Sequence, residues 1–308
     1  MSGPDLRTAV VVVTYNRRRL LLECLTALAA QTQRLERIHI VDNASTDGTW
    51  EALRDAGWLA RAEVDYHCLP DNCGGAGGFA AGLERALAQG AAWVWMMDDD
   101  AMAAPDALAS LLAAADSADN LYGSVAVAGE RLAWAMTLTA SGQRIERLAD
   151  LPAHSAVAFL PFLGLLVHRD LVARIGLPEA RYFLAADDLE YCVRAANAGA
   201  RLMLVAASRI AHPPALVYRF KLPGKTLHCL SLPPWKRYYD TRNRIFVARR
   251  HFGRRLYTET LPSIALRLIA TLMHESPRGA QLRATVAGVI DGLRGRGGRR
   301  HERWGLLP

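Results

Sequence analysis

The sequence has little cysteine, and no two of its cysteines form a Cys-x-x-Cys pair. Five single cysteines, an odd total, indicate reduced thiols and argue against a structural zinc site. Long hydrophobic runs are also missing, because no apolar stretch reaches the roughly 18–20 residues that a bilayer requires. Residues 1–7 lead directly into a strand-like segment. These absences predict a cytoplasmic chain that is neither exported nor membrane-spanning.

What the sequence does contain is enough apolar side chains to bury a full core. Of its 308 residues, 51% are hydrophobic and 22% are charged, which is typical of a globular protein with one large or two modest domains. The net charge of +7 suits an anionic partner: nucleic acid, a membrane face or a phosphate-rich substrate. Basic residues concentrate at 236–255 and 294–303, so the anion-seeking surface is predicted near the C-terminal end.

Strand-like and helical segments alternate through the first 115 residues. Apolar runs at 9–13, 38–41, 64–69 and 93–97 are each followed by a polar turn and then by helical periodicity. This alternation predicts parallel βαβ units with right-handed crossovers. The helices predicted in this region are 17–32, 49–56, 79–89 and 105–115. After them we predict a strand at 121–127, a hairpin or loop at 130–155, a buried segment at 158–167, a helix at 187–197, a strand at 201–205 and helices at 234–251, 262–273 and 281–293.

Polar side chains follow each of the four strands of the alternating region. Because the carboxyl ends of parallel strands meet at one edge of a sheet, we expect these side chains to line a single crevice. Taken singly, Asp42 also suits an Asx turn or a helix cap, and the first cluster suits an ordinary helix start, so a structural role and a nucleotide contact both stay open. The clusters are Thr14, Tyr15 and Asn16; Asp42 and Asn43; residues 71–78; and Asp98, Asp99 and Asp100.

The three adjacent carboxylates, Asp98 to Asp100, follow a strand that reads as buried on both faces. Neighbouring carboxylates repel unless a cation lies between them, and oxygen ligands on a short acidic turn suit Mg²⁺ or Mn²⁺. Their position at the ligand-binding edge favours a cation site over a solvated loop that caps the next helix. His212, at the end of another predicted strand, adds an imidazole that Mn²⁺ accepts, although a lone histidine also suits an ordinary surface or core position.

The glycine-rich segment 74–78 allows two different enzyme classes. Residues 75–80 fit the pattern G-x-G-x-x-A, and Asp98 follows about twenty residues later, as in a dinucleotide-binding fingerprint. That fingerprint normally occupies the first strand-to-helix turn, whereas this segment follows the third predicted strand. Glycines there would equally let the backbone approach a sugar diphosphate, and a plain flexible loop is a third interpretation. Gly164 is likewise predicted to permit close approach of a ligand to the backbone.

A second acidic pair, Asp187 and Asp188, begins the helix predicted at 187–197. A carboxylate beside an acceptor hydroxyl serves as a general base, and a neighbouring carboxylate raises its proton affinity toward neutral pH. Acidic side chains at a helix N-terminus also complement the helix dipole. The pair alone therefore leaves a catalytic and a structural interpretation open.

Five short segments form an ordered set along the chain. They are Val-Val-Val-Thr-Tyr-Asn-Arg at 11–17, Val-Asp-Asn-Ala-Ser-Thr-Asp-Gly-Thr at 41–49, Asp-Asp-Asp at 98–100, Ala-Asp-Asp-Leu-Glu-Tyr-Cys-Val-Arg at 186–194 and Tyr-Tyr-Asp-Thr-Arg-Asn at 238–243. As a set they resemble the inverting glycosyltransferases of family 2, which have the GT-A fold. Segments 72–79 and 88–95 are similar in particular to bacterial galactofuranosyltransferases and their rhamnosyltransferase relatives.

The resemblance implies a role for each matching residue. Asp188 would be the general base, which takes the proton of the acceptor hydroxyl while that hydroxyl attacks the anomeric carbon with inversion. The metal, Mn²⁺ or Mg²⁺, would be held by Asp98, Asp100 and His212 and would stabilise the departing nucleoside diphosphate. Galactofuranosyltransferases often have Trp before the acid pair, whereas this chain has Ala186, so the shape of the acceptor side stays open. The nucleotide sugar would contact Thr14, Tyr15, Asn16, Asp42, Asn72, Gly74, Gly75, Asp98, Asp99 and Asp187.

The resemblance also implies the fold and the domain organisation. We expect an α/β protein of GT-A type, with a Rossmann-like, mostly parallel sheet flanked by helices, over residues 1–230. Its nucleotide-binding part would span about residues 1–128 and its acceptor-side part 129–230, followed by a helical, basic C-terminal region at 231–308. The expected activity is metal-dependent, inverting transfer of galactofuranose from UDP-galactofuranose to a glycan or lipid-linked acceptor in cell-surface polysaccharide synthesis.

Three other functions stay open beside this one. A rhamnosyltransferase would use dTDP-rhamnose, an oxidoreductase would bind NAD on the glycine-rich segment, and a degenerate chain would bind the sugar nucleotide without catalysis. The segment 236–255 interleaves Tyr238, Tyr239 and Phe246 with eight Lys and Arg, which suits nucleic acid, a lipid diphosphate on an anionic leaflet or plain solvent. The second option agrees with the catalytic interpretation. We therefore expect no nucleic-acid partner and predict a peripheral position at the inner face of the cell membrane.

Overall fold

The computed structural model describes residues 7–307, and the predicted lead-in over residues 1–6 lies outside them. Within that described part, no helix combines the length and the hydropathy that crossing a bilayer requires. The strands are β1 (Thr8–Thr14), β2 (Arg37–Asp42), β3 (Val64–Cys68), β4 (Trp93–Asp98), β5 (Met102–Ala103), β6 (Leu121–Ala128), β7 (Arg131–Thr137), β8 (Arg144–Arg147), β9 (His154–Ala156), β10 (Leu165–His168), β11 (Leu202–Ala211), β12 (Val217–Leu222) and β13 (Lys225–Leu230). The helices are α1 (Arg18–Ala29), α2 (Thr49–Asp55), α3 (Gly74–Ala88), α4 (Ala107–Ala114), α5 (Arg169–Ile175), α6 (Asp187–Asn197), α7 (Pro234–Val247), α8 (Leu261–His274) and α9 (Arg278–Leu293).

One mixed sheet organises the first compact unit, which comprises residues up to 179 and 191–214. Its strand order is β3-β2-β1-β4-β10-β6-β11-β5, and the β3-β2-β1-β4 half is parallel throughout. Strand β10 pairs antiparallel with both β4 and β6, while β6 and β11 are parallel. Helices flank this sheet, so the predicted α/β class is confirmed.

Strand β1 shows why the centre of the sheet is apolar on both faces. All seven of its residues are buried, because successive side chains point to opposite faces and each face packs in a core. Val11 lies in the core that contains Leu83 of α3. Val10 lies in the core that contains Leu25 of α1. A polar side chain can therefore reach solvent only where such a strand ends.

Two stretches that the sequence left undivided consist of smaller elements. Residues 130–155 form the antiparallel β7–β8 hairpin and then β9, which pairs with β11. The apolar segment 158–167 becomes a strand only at β10. Just before it, Gly164 has a φ of 81°, and a Cβ there would lie 2.5 Å from Ser124 Oγ and 2.4 Å from Ile210 Cδ1. The absence of a side chain at Gly164 thus makes room for Ser124 and Ile210, and the approach of a ligand to its backbone stays a prediction.

Helix α3 begins at Gly74, several residues earlier than predicted. The glycine-rich segment is therefore the first part of a helix and not a flexible loop. A Cβ at Gly78 would lie 2.5 Å from Val13 Cγ1, and one at Gly82 would lie 2.3 Å from Val11 Cγ1. These two glycines let α3 approach β1 closely, a packing role that the sequence pattern does not distinguish from phosphate binding.

The second compact unit comprises residues 180–190 and those from 215 onward. Its helices α7 and α9 pack side by side, and α8 contacts α9. The β12–β13 hairpin packs on α8 through Leu227, Cys229 and Ala270. The predicted domain boundary near residue 230 separates this hairpin from the helices that follow, whereas the structure groups them in one unit. The segment 180–190 belongs to the same unit, although it precedes the hairpin in sequence.

Helix α7 exposes fewer basic side chains than its sequence predicts. The Arg237 side chain is buried and donates to Glu275 at 2.6 Å, and Arg242 has none of its surface exposed. Tyr238 and Tyr239 are buried as well. Arginine tolerates burial here because its guanidinium group finds carboxylate and carbonyl acceptors. The exposed arginines of the predicted basic segment lie beyond the helix, at 249, 250, 254 and 255.

We expect Gly82→Ala to destabilise the fold. The added methyl group would overlap Val11 and Val41 in a packed interior, and overpacking of this kind costs about 1–3 kcal/mol. Urea unfolding followed by circular dichroism would measure the loss. A free energy of unfolding equal to that of the wild type would contradict the packing role.

Gly75→Ala is the matched control, since it lies in the same helix and its added methyl group would meet no atom within 4 Å. Replacing glycine with alanine there should stabilise the helix by at most about 1 kcal/mol.

Candidate functional site

The three carboxylates lie at the end of β4, and two of them are held by side chains from the end of β1. Asp99 is buried and accepts hydrogen bonds from Thr14 Oγ1 at 2.7 Å and from the Arg17 guanidinium at 3.2 Å. Asp100 accepts from Arg17 at 2.9 Å. Because β1 and β4 are parallel neighbours, their carboxyl ends meet at one edge. The predicted convergence of these two clusters is thus observed.

Arg17 is a site residue that the sequence analysis missed. Its guanidinium bridges Asp99 and Asp100 and supplies the positive charge that adjacent carboxylates need. Burial raises the pKa of Asp99. Burial also opposes ionisation of Asp100, but the His212 imidazole in its protonated form and the charge of Arg17 hold its pKa below the usual range. The available signal was the position of Arg17 directly after the Thr-Tyr-Asn cluster.

His212 follows β11, and a short strand pairing brings it to the carboxylates. The end of β11 pairs with β5, so that Ala211 lies opposite Met102. The imidazole Nε2 then lies 3.3 Å from Asp100 Oδ1. Trp134 packs against the ring at 4.7 Å between centroids and restricts its orientation. Sequence reasoning placed His212 at a strand end but had no signal for the β5 pairing or for Trp134.

The pair formed by Asp100 and His212 fits a divalent metal ion. His212 Nδ1 lies 2.6 Å from the carbonyl oxygen of Pro213 and must donate a hydrogen to it, because a carbonyl only accepts. When the ring is neutral, Nε2 presents a lone pair toward Asp100 Oδ1, a buried oxygen with no hydrogen-bond donor in the described residues. Two acceptors at this separation need a shared proton or metal ion, and Mn²⁺ accepts both ligand types.

Asp98 does not complete a preformed metal site with this pair. Within residues 7–307, no three His, Cys, Asp or Glu side chains gather as a metal cluster. The backbone carbonyl of Asp98 accepts from Ala101 N–H at 3.3 Å, which turns the chain at the end of β4. Asp98 as a third metal ligand and as a donor contact therefore stays a prediction.

Asp42, at the end of β2, is buried and engaged on both carboxylate oxygens. Oδ1 accepts from the backbone N–H of Ser45 at 2.8 Å in an Asx turn, and Oδ2 accepts from Tyr66 Oη at 2.6 Å. Asp42 thus forms the Asx turn that the sequence allowed as its structural role, while its contact with a nucleotide stays a prediction. Tyr66 had no sequence signal beyond its position in β3.

The turn after β1 is tied to the turn after β2 through Asn16. This residue has a φ of 53°, accepts from Thr46 N–H at 2.7 Å and donates its own N–H to Ser45 Oγ at 2.9 Å. The neighbouring Tyr15 keeps 40% of its surface exposed. Asn16 therefore positions the turn, and Tyr15 presents its ring to solvent.

Asn72 and the glycines after it form the N-terminal turn of α3. Asn72 Oδ1 accepts from Gly74 N–H at 2.8 Å, and the Gly74 carbonyl accepts from buried Asn43 Nδ2 at 3.2 Å. Gly74 has a φ of 72°, which favours glycine, whereas a Cβ on Gly75 would meet no atom within 4 Å. Gly75 thus leaves open surface at the start of a helix, where backbone N–H groups favour an anion.

In the second unit, Asp187 and Asp188 begin α6. Asp187 is buried, and Asp188 Oδ1 accepts from Leu189 N–H at 2.7 Å. Burial raises the pKa of both carboxyl groups, and the charge of Asp187 raises that of Asp188 further. A carboxyl group whose pKa lies nearer neutrality is suited to accept a proton from a hydroxyl.

Glu190, one turn into α6, is a buried acid that the sequence analysis did not single out. It lies 3.0 Å from His251 Nε2 and 3.5 Å from Arg250 Nη1, and these basic groups offset its charge. Glu190 therefore ties the start of α6 to the π turn at Ala248–Phe252. Its negative charge also raises the pKa of Asp187, after the larger effect of burial.

Comparison with known proteins identifies the family. The model of glycosyl transferase family 2 matches residues 9–158, which include all the polar clusters at the strand ends of the parallel half. The galactofuranosyltransferase GlfT1 of Mycobacterium tuberculosis is 33% identical over 250 residues, which cover 77% of this chain and 80% of that protein.

Solved structures have the same fold at low sequence identity. The mannosyltransferase PcManGT of Pyrobaculum calidifontis, solved with GDP-Man and Mn²⁺, has a TM-score of 0.58 at 18% identity, over 94% of this chain and 88% of its own. GalNAc-T7, solved with UDP, GalNAc and Mn²⁺, has a TM-score of 0.59 at 16% identity, over 79% of this chain and 48% of its own. These likenesses confirm the predicted GT-A type of fold.

Family membership decides between the classes that the glycine-rich segment left open. An NAD-dependent oxidoreductase does not agree with it, and the glycines that favoured one, Gly78 and its neighbours, start a helix that packs against β1. The relatives are named as transferases, which favours an enzyme over a non-catalytic binding protein. With the strand-end clusters, the sheet topology and the relatives in agreement, this chain belongs to glycosyltransferase family 2 and is a glycosyltransferase of the GT-A fold.

Proposed function

We propose that this glycosyltransferase transfers galactofuranose from UDP-galactofuranose, with inversion, to a glycan or lipid-linked acceptor in cell-surface polysaccharide synthesis. The observation that carries the proposal is the similarity, over 250 residues, to a protein named as a galactofuranosyltransferase. The paired Asp100 and His212 support metal dependence, and the raised pKa of Asp188 supports a general base.

We assign Mn²⁺ or Mg²⁺ to Asp100 and His212, with Asp98 as the third ligand. The buried Asp100 Oδ1 that lacks a donor and the lone pair on His212 Nε2 support this assignment. The PcManGT and GalNAc-T7 structures were both solved with Mn²⁺. A bound divalent ion would offset the negative charge of the nucleoside diphosphate. Arg17, which pairs with Asp99 and Asp100, supplies positive charge at the same edge from the chain itself.

The donor contacts follow from the strand-end clusters. Tyr15 and Gly75 present open surface, the first for a ring contact and the second for a close approach of the backbone to a phosphate. Asn16 and Asn72 also shape their turns, because their amide oxygens accept backbone hydrogen bonds. We assign contacts with the nucleotide sugar to Thr14, Tyr15, Asn16, Asp42, Asn72, Gly74, Gly75, Asp98, Asp99 and Asp187.

We assign the general base to Asp188. Its carboxylate takes the proton of the acceptor hydroxyl while that oxygen forms a bond to the anomeric carbon. The bond from this carbon to the diphosphate oxygen breaks with its electron pair, and the configuration inverts because the attack comes from the opposite face. The pKa of Asp188, raised by burial and by Asp187, makes it a stronger base than an ordinary exposed carboxylate.

A lipid-linked acceptor agrees with the surface after α7. Arg249, Arg250 and Arg254 are exposed there, and the nearby Phe252 and Tyr257 keep 37% and 66% of their surfaces exposed. Basic and aromatic side chains together suit the interface of an anionic leaflet. We propose that this segment attaches the chain peripherally to the inner face of the cell membrane.

A panel of nucleotide sugars tests the donor. The purified protein, with Mn²⁺, is given UDP-galactofuranose, UDP-galactopyranose and dTDP-rhamnose in turn, with water as the acceptor, and the release of nucleoside diphosphate by hydrolysis is measured. We expect the highest kcat/KM with UDP-galactofuranose, because the relative that carries the proposal is named for that sugar. A preference for dTDP-rhamnose would overturn the donor and favour the rhamnosyltransferase alternative within the same family.

Asp100→Asn should weaken metal binding and turnover together. The amide removes the negative charge that faces His212 Nε2, so the Kd for Mn²⁺ should rise at least ~10-fold. Calorimetric titration with Mn²⁺ and the release of nucleoside diphosphate measure the two effects. The control is Asp106→Asn, an exposed acid just before α4, which should retain both. Unchanged Mn²⁺ affinity in a folded Asp100→Asn protein would exclude Asp100 as a ligand.

Asp188→Asn should lower kcat by roughly 10²- to 10⁴-fold while UDP affinity is kept, because the amide cannot accept the proton. Steady-state kinetics and calorimetry with UDP measure the two quantities. If a folded variant lost UDP binding instead, the role of general base would be wrong.

The pH profile provides a second measure of the same residue. Asp188 must be ionised to act, so kcat/KM should rise with pH through an acidic limb that lies above the range of ordinary carboxylates. Asp187→Asn removes the neighbouring charge and should move this limb to lower pH. An unmoved limb would contradict the coupling between the two acids.

A further inference from the structure

The segment before the acid pair has an uncommon backbone conformation. Phe183, Ala185 and Ala186 have φ values of 64°, 66° and 58°, although none of them is glycine. Such residues are strained and persist only where the surrounding contacts determine their conformation. The segment therefore requires a partner that holds it.

That partner is a buried polar face of α7. The two N–H groups of Asn243 Nδ2 are shared among three carbonyl oxygens, those of Tyr182 at 2.9 Å, Leu184 at 2.8 Å and Ala185 at 2.7 Å. Its Oδ1 accepts from Arg242 Nε at 2.8 Å, so the orientation of the amide is determined by its partners. Asn243 has 0% of its surface exposed, and both polar atoms of its side chain are engaged.

Arg242 extends the same set of contacts. Its Nη2 donates to the carbonyl oxygens of Tyr182 at 2.7 Å and Arg181 at 3.3 Å, and its Nη1 donates to that of Gly298 at 2.7 Å. A buried guanidinium is costly unless its donors are satisfied, and here backbone carbonyls satisfy them. The charge of Arg242 thus serves to order the backbone of this unit.

Aromatic contacts hold the side chains of the same segment. Phe183 stacks on Tyr239 at 4.9 Å between ring centroids, and Tyr182 meets Phe246 edge-on at 5.7 Å. Positions 239, 242, 243 and 246 lie three or four residues apart and so share one face of α7. One helix face therefore holds both the backbone and the side chains of residues 182–185.

We propose that Asn243, supported by Arg242, is a positioning residue for the Asp187 and Asp188 pair. This inference rests on the proposed role of Asp188, which lies three residues after the last carbonyl that Asn243 holds. Without the Asn243 amide, the carbonyls of Leu184 and Ala185 lose their donor, and the segment relaxes toward ordinary φ values. The Asp188 carboxylate then leaves the geometry that proton transfer requires. Donor-binding residues in the sheet unit are unaffected by this change.

Asn243→Ala is the test variant, and Tyr238→Phe is its matched control. Tyr238 lies on the same helix and also loses a buried hydrogen bond, the one it donates to Asp291 at 2.7 Å, but that bond leads away from residues 182–185. Thermal unfolding of both proteins sets a temperature at which each is fully folded. If Asn243→Ala does not fold, Asn243→Ser, which keeps one hydroxyl donor, provides the same comparison.

We expect kcat of Asn243→Ala to fall about 10- to 100-fold with the affinity for UDP unchanged, since a misplacement near 1 Å has effects of this size. Tyr238→Phe should keep both constants. Hydrogen exchange should become faster at the amides of residues 183–189 in Asn243→Ala only.

An Asn243→Ala protein with full kcat, or an equal fall of kcat in the control, would overturn the positioning role. Full activity of Asp188→Asn would instead overturn the proposed base. In that case the exchange rates would still report whether Asn243 holds the segment, so the two failures are distinguishable.

Discussion

A sheet buried on both faces constrains every other feature of the first unit of this glycosyltransferase. Strands β1 and β4 present only apolar side chains between their ends, because each face packs in a core and backbone polar groups pair in the ladders. Functional side chains are therefore confined to strand ends and the turns after them. Thr14, Asp42 and Asp99 all lie there. The sheet topology thus determines which of these side chains lie close together, because the ends of neighbouring strands meet.

Repulsion among the carboxylates is the second constraint, and the chain relieves it in two ways. Asp99 is buried with Thr14 and Arg17 as donors, whereas Asp100 shares Arg17 and faces His212. The first arrangement uses groups of the protein alone. The second leaves a buried oxygen without a donor beside an imidazole lone pair, which is the chemistry of a metal ligand set. One acidic turn thereby combines a carboxylate that the protein itself neutralises with one that we propose as a metal ligand.

In the second unit, positive charge is used inside the fold. Arg237 and Arg242 are buried and donate to Glu275 and to backbone carbonyls, and Asn243 adds its amide to the same backbone. This region therefore exposes fewer basic side chains than its composition suggests. Arginine and asparagine suit this task because their planar donors can reach several carbonyls at once, which stabilises a segment whose φ values its own residues disfavour.

The sequence by itself determined the order of strands and helices in the parallel half and the position of its polar ends, because hydrophobic periodicity and turn residues act locally. It also placed Asp188 at a helix start. Only the tertiary structure decided which polar groups meet. The Thr14 to Asp99 bond joins residues 85 apart, and the antiparallel insertion of β10 and the β5 pairing that brings His212 to Asp100 depend on strands becoming neighbours. Such long-range pairing leaves no local pattern, which is why Arg17, the packing glycines of α3 and the contacts of Asn243 could be recognised only in the folded chain.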